Sequence, residues 1–537
     1  MRTRSDPLAN APCALKCYTS LRAGAPSLRH LLTGPIALAI FATANVATPA
    51  AAQTRTAVSV AAPWHVNTYE PSQDGYIFQR MQIGETLVEV CDEGALCPGL
   101  STGWTASADG LEWRFDVRQG VLFHDGGRMD AETVAASLRR AAGRPGILSS
   151  VPVTAITTDR SAVVIRLETP YAALPAALAN YGAMILAPTS FDAEGAAVAF
   201  VGTGPFRMVG MEPPLSLAAE RFDGYWGEAA SVSEVRYLSS HRPETRALMI
   251  ESGDADLAVN LDKAGFHRLD ELDLSTVHAV AIPRTIMVKM NLARPQLAEA
   301  DARRALSLAI DREGVAAGIL DFPESAANQL FPPVLTGWHD AAEPPAAYDP
   351  EQARALLADL GWAPGPDGVL ARGGERFSLT LRTYPNRPEL PLIAAALQDQ
   401  WRDIGVEVKV SVGNSSEVPG GHQDGTLDLA LAARNYGLTP DPVVNAFDDF
   451  KAGGGDWGAM NWDAPAVHEA LRVALAEADP EARTEAIRAV TKALQAELPV
   501  IPVAWSVLTA ASAAKLEGVS MDPLERSYGL SQVRWSD

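Results

Sequence analysis

ETLVEVCDEGALCPGLSTGWTASADGLEWRFDVRQGVLFHDGGRMDAETVAASLRR occupies residues 85–140, and it reads as a short β meander feeding one helix. Glu112, Trp113, Arg114, Phe115, Asp116, Val117 and Arg118 alternate polar and apolar, the period of a half-buried strand. Asp109 and Gly110 ahead of them are a hairpin turn signal. Asp125, Gly126 and Gly127 close a second turn. Asp130 stands where a side-chain oxygen caps the free N–H groups of a helix, and Thr133, Val134, Ser137 and Leu138 follow at helical spacing. The stretch holds no catalytic triad, metal cluster or phosphate loop. What it specifies is architecture.

Around it lie 537 residues, too many for one hydrophobic core, so two or more domains are expected. A composition of 47% hydrophobic and 20% charged residues is that of an ordinary globular protein. The first 52 residues read as an export signal. Arg2, Arg4, Lys16, Arg22 and Arg29 precede an apolar run over 31–47, and small residues follow at Ala50, Ala51 and Ala52. Gly34, Pro35 and Pro49 punctuate that run, which argues against a membrane helix. Its removal takes five of 44 basic and one of 65 acidic residues, leaving a net charge near −25. Such acidity argues against a nucleic-acid surface, which needs basic patches. Beyond the signal only Cys91 and Cys97 remain, flanking a short loop in the meander. In an oxidising compartment they are expected to pair; two free thiols are the alternative, and a metal site would need further ligands nearby.

Along the rest of the chain, strand and helix patterns alternate, as in an α/β protein with mixed sheets. The spacing predicts a helix over 72–90, a strand over 163–167, a short helix over 170–179 and a buried strand or loop over 181–188. A Gly-rich turn at 201–205 opens into a strand; without GxGxxG or a following Lys-Ser/Thr it reads as a tight bend, not a phosphate site. Strands follow at 235–238, 283–291, 377–382, 406–412, 427–434 and 499–507. Helices are predicted at 243–252, 301–310, 352–360, 388–404, 464–477 and 480–496.

Six of these motifs in order resemble the extracytoplasmic solute-binding proteins of ABC importers, in the large peptide- and nickel-binding family, family 5. They are 113–126 in the meander; Gly202, Thr203, Gly204, Pro205 and Phe206; Tyr225 with Trp226; Thr245, Arg246 and Ala247 with Gly253, Asp254, Ala255 and Asp256; Val288, Lys289, Met290 and Asn291; and 303–312. The resemblance implies a two-lobed periplasmic-binding-protein fold. Two strands would cross between the lobes near 281–288 and 504–510. Lobe I would comprise 55–283, with the meander as an extra subdomain, and a C-terminal return, 509–537; lobe II would comprise 284–508. Such proteins close by hinge motion on a ligand held between the lobes.

On lobe I the resemblance implies that Tyr76, Gln79 and Tyr181 face the cleft, with simple packing as the alternative for Tyr181. Tyr181 falls where nickel-binding members place an arginine that meets a metallophore carboxylate. On lobe II the segment after the strand at 427–434 is similar to a ligand wall, which makes Arg434, Tyr436 and Asp441 candidates. Asp441 is placed to hold a ligand ammonium or, alternatively, to cap the turn before Pro442. Tyr436 and Pro440 stand where nickel-binding members carry tryptophan and tyrosine, and 453–457 lacks their metal-ligating histidine. Arg387, ahead of the helix at 388–404, is the expected clamp for a peptide carboxylate, preferred over Arg382. A solvated surface arginine is the alternative.

The histidines beyond the signal show no HxH or HxxxH spacing, so no metal held by the protein alone is expected, and no cofactor. Without a nucleophile elbow, HExxH or Walker motif, enzyme activity is not expected either. The expectation is a monomeric periplasmic protein that binds a small peptide-like solute and hands it to an ABC permease and its ATPase. A nickel or other metal-chelate ligand is the alternative, and a non-transporting sensor or chaperone a further one.

Overall fold

The computed structural model describes residues 56–537, apart from 92, 93, 438 and 537; the segment read as an export signal lies outside the described residues. One mixed ten-stranded sheet runs through the molecule. From one end its order is Glu407–Val412, Ser378–Thr383, Leu429–Asn435, Ser275–Met290, Val500–Ala513, Leu257–Val259, Ala57–Ala62, Glu234–Ser239, Ser216–Arg221 and Phe206–Glu212. Near each end strands run parallel, as crossover helices require: Ala57–Ala62 with two neighbours, Ser378–Thr383 with two others. These ends form the two lobes.

Among the described residues, Ser275–Met290 and Val500–Ala513 are the strands that join the two ends of this sheet. They pair antiparallel from Ser275↔Ala513 to Lys289↔Val500, with a register shift between Ala281 and Thr285. Val500–Ala513 reads VIPVAWSVLTAASA and is buried almost throughout, as a strand covered on both faces must be.

The meander folds as a separate four-stranded sheet, Ser101–Ala106, Glu112–Val117, Ala162–Leu167 and Val153–Asp159. Its helix is Ala131–Ala142, and Asp130 accepts from the Thr133 backbone N–H while the Thr133 hydroxyl meets the Asp130 backbone, a reciprocal cap. Phe115, Val134 and Ile165 of this subdomain share one continuous apolar core with Met287 and Trp401 of lobe II. A backbone bond, Ala172 N–H to the Leu475 carbonyl at 2.8 Å, bridges the same junction. Cys91 and Cys97 form a disulfide.

One predicted element differs markedly from the structure. The helix expected over 72–90 is only Pro71–Arg80. Gln82 takes a left-handed φ of 56°, which ends it. Ile83 and Leu87 still bury their side chains, from extended chain, so the apolar spacing persisted without the helix. The segment 181–188, expected as a buried strand or loop, is a largely buried loop: a 3₁₀ turn, Tyr181–Ala183, followed by unpaired chain whose Ile185 N–H bonds the Glu85 carbonyl. The glycines of 202–204 serve close approach: a Cβ on Gly202 would lie 2.4 Å from the Ile83 oxygen, and one on Gly204 2.3 Å from that of Gln82. The C-terminal residues lie against the strand Ala57–Ala62 and the end of the helix Pro71–Arg80. Tyr528 N–H bonds the Arg80 carbonyl, Ser531 pairs with the Gln82 amide, and the Trp535 indole donates to Ala57.

Candidate functional site

Strand ends set the site. In lobe I the chain leaves Glu234–Ser239 into helix Pro243–Ser252, and leaves Leu257–Val259 into helix Lys263–Asp270. In lobe II it leaves Ser378–Thr383 into helix Glu389–Asp403. These turns, with the crossover strands as a floor, enclose a cavity of about 1250 Å³. Ile282, Arg284, Ile286, Ser506, Val507 and Thr509 come from the floor; Leu248 and Phe266 come from lobe I, Ile319, Phe322, Arg387 and Leu392 from lobe II. A crevice at strand C-termini is where open α/β sheets take ligands.

At the base of the cavity three guanidinium groups gather around one buried carboxylate. Arg284 Nη2 donates to Glu525 Oε2 at 2.6 Å, and Asn435 donates to the same oxygen at 3.2 Å. Arg80 Nε donates to the Glu525 backbone carbonyl at 2.6 Å, and its Nη2 lies 3.7 Å from Oε1. All three charged side chains are buried. Arg387 completes the group. Burial and then the Arg387 charge push Arg284 down to about 10. Burial alone would raise Glu525, but Arg284, Arg80 and Arg387 hold it below the usual carboxylate range. Half-buried Arg387 makes no side-chain hydrogen bond or ion pair with any described residue. The cluster therefore has an excess of positive charge, with one guanidinium open to the cavity.

The sequence candidates divide into three groups. Arg387 alone lines the cavity. Tyr76, Tyr181 and Arg434 meet in a closed junction beside it. The Tyr76 ring lies 5.9 Å from Tyr181 and 6.1 Å from Trp64, with the Arg80 guanidinium 4.2 Å from Trp64. Arg434 acts electrostatically on Tyr181 but is tied to Asp449 at 2.7 Å. Gln79 shares the Tyr76 helix; its amide nitrogen is buried without a hydrogen-bond partner. Tyr436 and Asp441 are engaged elsewhere. Tyr436 is 0% exposed, its ring 4.9 Å from Phe331 in the lobe II core. Asp441 accepts from the Val443 N–H at 3.0 Å and pairs with Arg483, the turn-capping geometry. His124 is structural, its Nε2 3.0 Å from the Gly204 oxygen.

Sequence reasoning missed Arg80, Arg284 and Glu525, and it missed a contact across the mouth of the cavity. Lys263 and His267 on lobe I both meet the Asp321 carboxylate on lobe II, Lys263 at 2.6 Å, and Phe266 packs edge-on against Phe322 at 6.3 Å. Hydrogen bonds from Lys263 and then His267 hold Asp321 below its ordinary value. This is a clasp between lobes. Asp321→Ala is expected to shift the protein toward the open form and to weaken ligand binding by no more than about fivefold, because exposed ion pairs contribute little. Small-angle scattering with and without ligand measures the first effect and calorimetry the second.

Two lobes joined by two crossover strands, with a charged cavity between them, define a binding protein that closes on a solute. The chain belongs to the bacterial extracellular solute-binding proteins, family 5, whose sequence profile it matches over residues 95–456. It is 25% identical to the nickel-binding periplasmic protein of Escherichia coli over 529 residues, 95% of this chain and 99% of that one. It is 24% identical to the glutathione-binding protein GsiB of Salmonella paratyphi A, covering 79% and 83%. Among solved structures, NikA from Brucella suis with Fe(III)-EDTA superposes with a TM-score of 0.82 at 21% identity, over 89% of this chain and all of that one. DppA from Helicobacter pylori with the peptide STSA gives 0.76 at 21% identity, over 90% and 99%.

Proposed function

We propose that this protein captures a short peptide with a free carboxylate between its lobes, outside the cytoplasmic membrane. It delivers that peptide to the permease and ATPase of an ABC importer, with no covalent chemistry. The observation that carries this reading is Arg387, a guanidinium in the inter-lobe cavity with no acceptor among the described residues. A carboxylate is the planar partner its fork of donors fits. Size supports the same conclusion, since about 1250 Å³ exceeds the roughly 300–1,000 Å³ of pockets for drug-sized ligands. In this reading lobe I spans 55–283 and 509–537, lobe II spans 284–508, and closure turns on the register shift near 281–285. Gln79 and Tyr181 support the site from the adjoining junction. The exported protein acts as a monomer in the periplasm.

A metal chelate is the second reading, favoured by one observation. His241 lines the cavity, and its Nε2 lies 3.4 Å from His65 Nδ1. In that case the solute would bring most of the metal's ligands. Thermal unfolding of the mature protein with di- and tripeptides, and with nickel plus free histidine, separates the two, because a ligand that binds only the folded state raises the midpoint. The expected result is a rise with peptides. A rise with nickel–histidine and none with any peptide reverses the order.

A further inference from the structure

The walls of the cavity differ in kind from its charged base. We propose that the solute carries bulky apolar side chains: a short peptide of leucine-like residues whose carboxylate lies at Arg387 and whose side chains fill the space between the two lips. This rests on the peptide reading above and specifies its substrate class.

Two leucines point to it. Leu248 on helix Pro243–Ser252 is 52% exposed, and Leu392 on helix Glu389–Asp403 is 59% exposed. Both line the cavity, one from each lobe. Their helix neighbours are used differently. Ala247 and Ile250, like Leu390, Ile393 and Leu397, turn inward and are buried. Leu248 and Leu392 are thus not core residues left short of cover; they are the outward faces that these helices present to a shared concavity. Phe266, Ile319 and Phe322 continue the same apolar surface.

Of the polar groups that line the cavity, Lys263, His267, Arg246 and Thr509 are already occupied, while Arg242, Glu244, Thr245, Asn386 and Glu389 also lie along it. Lys263 and His267 are held by Asp321. Arg246 donates to the carbonyls of Val259, Ser240, His241 and Asn260. Thr509 donates to the Leu261 carbonyl at 2.6 Å. Like the guanidinium of Arg387, two buried hydroxyls on the cavity lining, those of Ser325 and Ser506, lack a partner. The site therefore offers an open guanidinium and two buried hydroxyls together with an apolar surface to which both lips contribute. A solute that leaves the lips wet forfeits the burial they offer, and one that lacks the anion leaves Arg387 unpaired.

Calorimetric titration of the mature protein with trileucine and with triserine, each with a free carboxylate, tests the proposal. Trileucine is expected to bind at least tenfold more tightly, with the more negative heat-capacity change that marks apolar burial. Leu248→Ser and Leu392→Ser are each expected to weaken trileucine about tenfold and leave triserine unchanged. Because both side chains are exposed, the variants should keep the wild-type unfolding midpoint. Equal affinity for the two peptides, or unchanged trileucine affinity in both variants, overturns the apolar preference while peptide capture stands. If neither peptide binds, the peptide reading fails and this inference with it.

Discussion

Arg387→Ala is expected to weaken the binding of carboxylate-bearing ligands about 10- to 100-fold, from the roughly 1.5–3 kcal/mol carried by a hydrogen bond to a charged group. Its unfolding midpoint should stay at or slightly above that of the wild type, since the side chain touches no acceptor among the described residues and its charge opposes that of Arg284. Amidating the peptide carboxylate should cost the wild type a similar factor and the variant almost nothing, because both changes remove the same contact. If amidation and Arg387→Ala instead multiply in full, the carboxylate lies elsewhere. Arg387→Lys should recover only part of the loss: it restores the charge but not the planar fork. Isothermal titration of the four combinations decides the matter.

Glu525→Gln is expected to have the largest effect on stability, about 3–5 kcal/mol, the usual penalty for leaving a buried charge without its partner. Here two guanidinium groups are stranded, Arg80 and Arg284, and both are buried. The pH dependence has a defined sign. Three arginines hold the folded-state value below the ordinary 4.5. Glu525 therefore contributes stability that is present above the unfolded pKa and is lost as pH falls through the lower folded one. Urea unfolding at pH 7 and at acid pH should show the gap between wild type and Glu525→Gln narrowing as pH drops. A gap that widened toward acid would contradict this account.

Local patterns carried far in the sequence. The alternation from Glu112 to Val117 became the strand Glu112–Val117, and Asp130 with Thr133 became a reciprocal cap. Both are decided by neighbours a few residues away. Arg387 was picked out by the family resemblance, as an arginine just ahead of a helix, and it lies on the cavity lining. The cluster beneath it was not. Arg80 meets Glu525 across 445 positions and Arg284 meets it across 241, and each taken alone has the composition of a solvated surface charge. Tyr436 illustrates the converse. It lies just beyond a strand end, where ligand walls are sought, yet Phe331 comes from the proline-rich connection to cover its ring at 4.9 Å. No periodicity within 427–436 announces a cover from a hundred residues upstream.

The two crossover strands have a consequence for the order in which the molecule can be assembled. The five strands from Ala57–Ala62 to Leu257–Val259 are complete by residue 259, and the four from Ser275–Met290 to Leu429–Asn435 by residue 435. Each set ends on an open edge. Val500–Ala513 then enters between Leu257–Val259 and Ser275–Met290, pairing with both, as a keystone closes an arch. Until it arrives, two half-sheets present unpaired backbone to solvent and to each other, the template on which chains aggregate. Glu525, still later in the chain, is the counter-charge for arginines already in place. A chain cut short near its C-terminus would thus lack more than its tail: it would lack the strand that makes two sheets into one and the carboxylate that lets the joint be buried.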